Sequence, residues 1–196
     1  MKKQSEVVAE LSDKELILNV YLTQGIMIIL ALISGFFVFD HWHEFQDLFK
    51  PEITFIILVG GTVAFVIVLV DVILERILPK AWMDDGGINE RVFEKMSIPN
   101  IILLCLVVAV AEELLFRAVL QTAFGLVIAS LLFAVIHIRY LHKPVLFINV
   151  TFVSFLLGAL FYWTGNVLVT IFAHFVIDLS LGILIRLKFQ KSSRHN

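Results

Sequence analysis

The sequence predicts an all-α fold: a multi-pass transmembrane helical bundle of about six spans with both termini cytoplasmic. Three observations predict it. The chain is 60% hydrophobic and 16% charged, against about 25% charged in an ordinary soluble domain, and its mean hydropathy is +0.96. Several apolar stretches reach the roughly 20 residues that a helix needs to cross a hydrocarbon core about 30 Å thick. Lysine and arginine collect in alternate connections, as the positive-inside rule requires.

The elements follow in order. Residues 16–39 form the first span. Ser12 and Glu15 have the spacing of a capping box that opens it. The stretch before it is polar and mixed in charge, unlike a cleaved signal, so this span is expected to remain in the mature protein. Residues 53–74 form the second span, with Pro51 near its start and Pro79 where it stops. Residues 80–97 hold Asp84-Asp85-Gly86-Gly87 and then a stretch suited to an amphipathic helix on the inner surface. Residues 98–120, with Pro99 near the start, form the third span, interrupted by Glu112, Glu113 and Arg117.

The run 124–138 is short for a fourth span. It reaches a workable length only if its helix starts nearer Ala118 and runs past His137. Residues 145–163, after Pro144, and 166–185 complete the six.

Charge placement orients the set. Lys2, Lys3 and Lys14 precede the first span, and Arg76, Lys80, Arg91 and Lys95 lie between the second and third. Arg139 and Lys143 lie between the fourth and fifth, and Arg186, Lys188, Lys191 and Arg194 follow the sixth. The opposite side has only Lys50. Trp42, Tyr162 and Trp163 on the outer side, with Tyr140 and Trp82 on the inner, suit aromatic belts. Cys105 is the single cysteine, which excludes an intrachain disulfide and a cysteine-built zinc site.

Ionisable groups inside spans are costly, at least about 2.5 kcal/mol for Arg or Asp near the centre, and persist where they are paired or functional. Three clusters qualify. In Glu112–Arg117 (EELLFR), Glu113 and Arg117 stand four apart in the favourable order for an ion pair. Glu112 points about 100° away with no basic partner on its own helix, which suits a general base. In Phe133–His137 (FAVIH), the two terminal residues share a helical face, with Ser130 one turn back. In His174–Asp178 (HFVID), both end residues share a face with Thr170 above, and a carboxylate there can hold the imidazole in one tautomer.

Each cluster alone also reads as a structural pair or an interfacial histidine. Together they put three carboxylates and two histidines on three otherwise apolar spans. Glu112, His137 and His174 suit a zinc site with an open position for water. The alternative needs no metal: Glu112 and His137 activate water, and His174 polarises the scissile carbonyl.

Glu-Glu-x-x-Phe-Arg, Phe-x-x-x-His and His-x-x-x-Asn/Asp, in this order over residues 98–182, resemble the CPBP family, which includes CAAX prenyl proteases and bacteriocin-processing enzymes. The resemblance implies an intramembrane endopeptidase, a metalloprotease or glutamate protease. Its catalytic set would be Glu112, His137, His174 and Asp178, with Glu113, Arg117 and Phe133 in support. A divalent metal such as zinc would sit on Glu112, His137 and His174, and none is required if glutamate is the base. The family pattern allows Asn where Asp178 stands. Asn can donate to an oxyanion and an ionised Asp cannot, so Asp178 is expected to orient His174 or to help bind metal, leaving the oxyanion to His174.

The chain then divides into residues 1–97 (two N-terminal transmembrane helices plus a cytoplasmic loop), 98–186 (a four-helix CPBP-like catalytic core) and 187–196 (a basic cytoplasmic tail, most simply an inner-leaflet anchor). Expected partners are a protein or peptide substrate at the membrane and the lipid of the cell membrane, with no nucleic acid. One rival is a non-catalytic regulatory or bacteriocin-immunity protein on the same scaffold. A proton-coupled transporter ranks lower, because no internal repeat is visible.

Four further expectations follow. Asp71 and Glu75 should face inner-surface water. The spacing of His41 and His43 is poor evidence for metal. Asn149 and Ser154 would line the cavity, unless Ser154 and Gly158 form a small-xxx-small packing pair. The site should lie in the inner half of the bilayer, open to the cytoplasm.

Overall fold

A computed structural model describes residues 10–193. Lys2, Lys3 and Arg194, which carry part of the charge argument, lie outside the described residues. The elements are α1 (Asp13–Val38), α2 (Trp42–Gln46), α3 (Ile53–Ile77, with a π turn over Ile56–Gly60), α4 (Lys80–Met83), α5 (Ile88–Phe93) and α6 (Ile98–Glu113). A wider π-helical segment, Leu114–Gln121, carries α6 into α7 (Thr122–Ile136). Then come α8 (Pro144–Thr164) and α9 (Val167–Ser193). No strand occurs among the described residues. The Ser12 capping box forms as expected: Glu15 N–H donates to Ser12 Oγ (3.3 Å) and Ser12 N–H to Glu15 Oε2 (2.8 Å).

Five helical stretches are long and apolar enough to cross a membrane, and the chain is a multi-pass membrane protein. One of them, Ile98–Ile136, is not a single rod. Gly125 has φ 82° and ψ 168°, a region essentially closed to residues with a Cβ. On a straight helix Arg117 and Ser130 would stand roughly 20 Å apart. Arg117 Nη1 instead lies 3.4 Å from Ser130 Oγ, and the Phe116 and Phe133 rings are 5.0 Å apart. The chain therefore doubles back at Gly125.

This corrects the expected fourth span. The returning leg neither starts near Ala118 nor runs past His137. It occupies residues 126–136, about 16 Å at 1.5 Å per residue, half of a hydrocarbon core. His137 ends it as the C-cap, and a short turn, Ile138–Tyr140, follows.

Around this hairpin, α9 packs against α6, α3 and α8, while α1 packs against α6 and the π segment. Two close approaches need glycine. A Cβ on Gly60 would lie 2.8 Å from the Val169 carbonyl, and one on Gly158 would lie 3.0 Å from Ser130 Oγ. Gly158 thus belongs to a close α7–α8 contact, as the small-xxx-small pattern predicts. Phe36 and Phe37, 82% and 79% exposed, face outward to lipid.

The α4–α5 segment lies across the end of the bundle that carries the basic loops. Asp85 caps α5 through the Ile88 and Asn89 N–H groups, and Arg139 (3.8 Å) and Lys143 (3.9 Å) reach Asp85 and Asp84. Glu75 is exposed as expected, whereas Asp71 is partly buried. Asp71 accepts from Asn149 Nδ2 at 3.0 Å, and Glu75 pairs with Lys188. Asn149 is thereby committed to α3 and not to a cavity. The basic tail begins as helix, since α9 continues to Ser193.

Candidate active site

The polar interior starts from Arg117, which is fully buried. Its guanidinium meets Glu113 Oε2 (3.3 Å), Ser130 Oγ (3.4 Å) and Ser154 Oγ (3.0 Å), and stands 5.4 Å above the centre of the Phe133 ring. A guanidinium offers five donors in a planar fork, so one residue ties the hairpin, α7 and α8 together. The two serines also clasp each other: Ser130 Oγ lies 3.3 Å from the Ser154 carbonyl and Ser154 Oγ 3.2 Å from the Ser130 carbonyl. Gln121 Nε2 donates to the Gly158 carbonyl at 2.8 Å.

Glu113 faces two ways. Its Oε1 lies 3.0 Å from His174 Nδ1. A carboxylate already paired with arginine accepts there, so Nδ1 carries the proton. The other ring nitrogen, Nε2, lies between Asp178 Oδ2 (3.5 Å) and Glu112 Oε2 (4.0 Å). The expected orienting contact is thus made first by Glu113, which reaches His174 from the neighbouring helix. Asp178 sits on the opposite nitrogen.

His137 Nδ1 lies 2.7 Å from the Phe133 carbonyl. A carbonyl only accepts, so Nδ1 donates and the Nε2 lone pair stays available. The Phe133 ring spaces the two histidines, 4.7 Å from His137 and 6.2 Å from His174 between ring centres. The second cluster thus meets the third through the Phe133 ring, while the first and third meet directly at Glu112, Glu113 and His174.

Depth follows from the hairpin. Glu112 and His137 lie almost equally far from Gly125 along the two legs, on the order of 20 Å at 1.5 Å per residue. A half-length returning leg is what brings them level. Glu112 is also roughly 20 Å from Ile98 by the same rise. His137 also stacks on Tyr140, with ring centres 5.9 Å apart, so its end of the cluster lies beside the basic loops. Asp178 is its most open carboxylate, with 31% of its side chain exposed against 8% for Glu112.

Residues 94–180 match the family described as type II CAAX prenyl endopeptidase Rce1-like. The chain is also 43% identical over 175 residues to a Bacillus subtilis (strain 168) protein described as uncharacterized protein YpbD, covering 89% of this chain and 93% of that one. The chain belongs to the CPBP family. No solved structure matches it at a significant level.

Membership in this family of CAAX-type intramembrane proteases raises the question of metal. Among the described residues, no group of three or more His, Cys, Asp or Glu side chains is disposed to hold an ion. The donor types themselves suit a divalent cation: His174 donates Nδ1–H to Glu113, as metal-ligating histidines commonly do to a carboxylate, and its Nε2 faces Asp178 at 3.5 Å and Glu112 at 4.0 Å.

One contact to the cluster was not singled out in the sequence. Gln24 on α1, 5% exposed, donates from Nε2 to Glu112 Oε1 at 3.3 Å. The available signal was an amide in the middle of a strongly apolar helix. Nothing in the sequence indicated which helix it faces.

Proposed function

We propose that the chain is an intramembrane endopeptidase that hydrolyses a peptide bond in a membrane or membrane-adjacent protein, with Glu112 as the general base and no metal in the chemical step. One observation carries this reading: a largely buried Glu112 faces His174 Nε2 across 4.0 Å. At that spacing a water held by Glu112 also lies beside His174, and a carbonyl that approaches them meets both groups.

Glu112 takes one proton from water, and the oxygen attacks the carbonyl carbon. His174 donates from Nε2 to the oxygen that becomes negative, while Glu113 holds its Nδ1. Preorganised donors of this kind account for a large share of acyl-transfer catalysis. The proton held by Glu112 then passes to the departing amine as the C–N bond breaks. His137, with Nε2 free, is suited to accept a hydrogen bond from the water or from the amine. Arg117 compensates Glu113 and does not touch the reacting atoms. In this reading His174 acts as the imidazolium, with Asp178, the more open carboxylate, flanking its Nε2. The membrane in question is the cell membrane, with the basic loops cytoplasmic.

The test is cleavage of a peptide library by purified wild type, Glu112→Ala and His174→Ala, with and without chelator. Loss of a positioned general base lowers the rate by on the order of 10²–10⁴, so Glu112→Ala should be nearly silent and chelator without effect. Wild-type rates in Glu112→Ala refute the peptidase reading. Rates abolished by chelator and restored by zinc refute the metal-free one.

A further inference from the structure

A base in a dry site must be held, and so must the water it activates. Water carries two O–H groups. The base takes one, and the other needs an acceptor, because a buried donor without a partner is costly. Glu112 has His174 on one side, with Nε2 4.0 Å from Glu112 Oε2. Its Oε1 faces α1, a helix outside the region matched to the CAAX endopeptidase family.

There it meets Gln24, 95% buried, whose Nε2 donates at 3.3 Å. A carboxylate cannot donate when ionised, so the amide NH2 is the end that faces Glu112. The other end of the same amide, Oε1, is buried with no hydrogen-bond partner. Only one other described side-chain atom shares that condition, Gln121 Oε1. It lies against Gly158 in the packing network and not at Glu112.

We infer that Gln24 positions the hydrolytic centre from α1: its N–H holds the Glu112 carboxylate in place, and its free Oε1 accepts the second O–H of the attacking water. This inference rests on the peptidase reading above. It makes the N-terminal helix part of the reacting site rather than only a membrane anchor. No bond is made or broken at Gln24, and the proton balance stays with Glu112 and the leaving amine.

The test compares full-length wild type, Glu112→Ala, Gln24→Met and Gln24→Asn on a peptide that wild type cleaves. Gln24→Met keeps the volume and loses both polar functions. Gln24→Asn keeps the amide and withdraws it by one methylene. Loss of a hydrogen bond to a charged group corresponds to about tenfold or more in rate. Both variants should lose about that much in kcat with KM unchanged, because Gln24 acts on the water and its base.

An unchanged kcat in either folded variant overturns the inference while leaving the peptidase reading intact, and so does an effect confined to KM. Wild-type cleavage no faster than that of Glu112→Ala removes both together.

Discussion

Replacing Arg117 by methionine removes the guanidinium from the buried network while keeping most of its bulk. The structure sets the scale. Glu113 is fully buried, and its charged contact with Arg117 spans 3.3 Å. Removing one member of a buried ion pair costs about 3–5 kcal/mol, chiefly because the remaining charge is stranded. The contacts to Ser130 and Ser154 add about 0.6 kcal/mol each on the scale measured between membrane helices. Arg117→Met should therefore lose roughly 5 kcal/mol.

The double variant Glu113→Gln/Arg117→Met strands no charge and still offers His174 Nδ1 an amide oxygen. It should recover about half of that loss. Equilibrium unfolding in detergent micelles, run on wild type, both single variants and the double, measures each term. An Arg117→Met protein within about 1 kcal/mol of wild type would refute the claim that this pair organises the interior. So would a double variant no more stable than Arg117→Met.

Two other outcomes follow from the geometry. Gly125→Ala forces a Cβ into a backbone region that costs of order 1–3 kcal/mol, and thermal unfolding in micelles should fall accordingly, whereas the same change at Gly25, which has open space around it, should be nearly neutral. Tyr140 lies outside the spans, and burial raises its phenol above the ordinary value near 10. Its contribution to stability is therefore complete below pH 10 and is lost as pH rises through the folded value. An alkaline titration of tyrosinate absorbance should show a component above the ordinary phenol range that Tyr140→Phe abolishes.

The class of molecule and much of the site were readable from residue order. Hydropathy counts consecutive apolar residues, so the membrane class and the helical elements follow from it. Helical periodicity relates residues three or four apart on one helix. That is why the Glu113–Arg117 pair, the shared face of Phe133 and His137 and the pairing of His174 with Asp178 were visible in advance. Residues that polar chemistry needs stand out against an apolar background, so three of the four helices that meet at Glu112 were identified.

The tertiary structure decided what depends on the rotation and register of one helix against another. Hydropathy does not register a single φ of 82° at Gly125, yet that turn halves the fourth helix and brings His137 level with Glu112. Which carboxylate meets His174 Nδ1 depends on how α6 is rotated against α9, and the answer is Glu113 at 3.0 Å. Gln24 reaches Glu112 across 88 positions of sequence, a contact that no local pattern encodes. Local order specifies the face of each helix. The meeting of faces is set by packing, through close approaches such as Gly60 on Val169 and Gly158 on Ser130, which exist only once the helices are together.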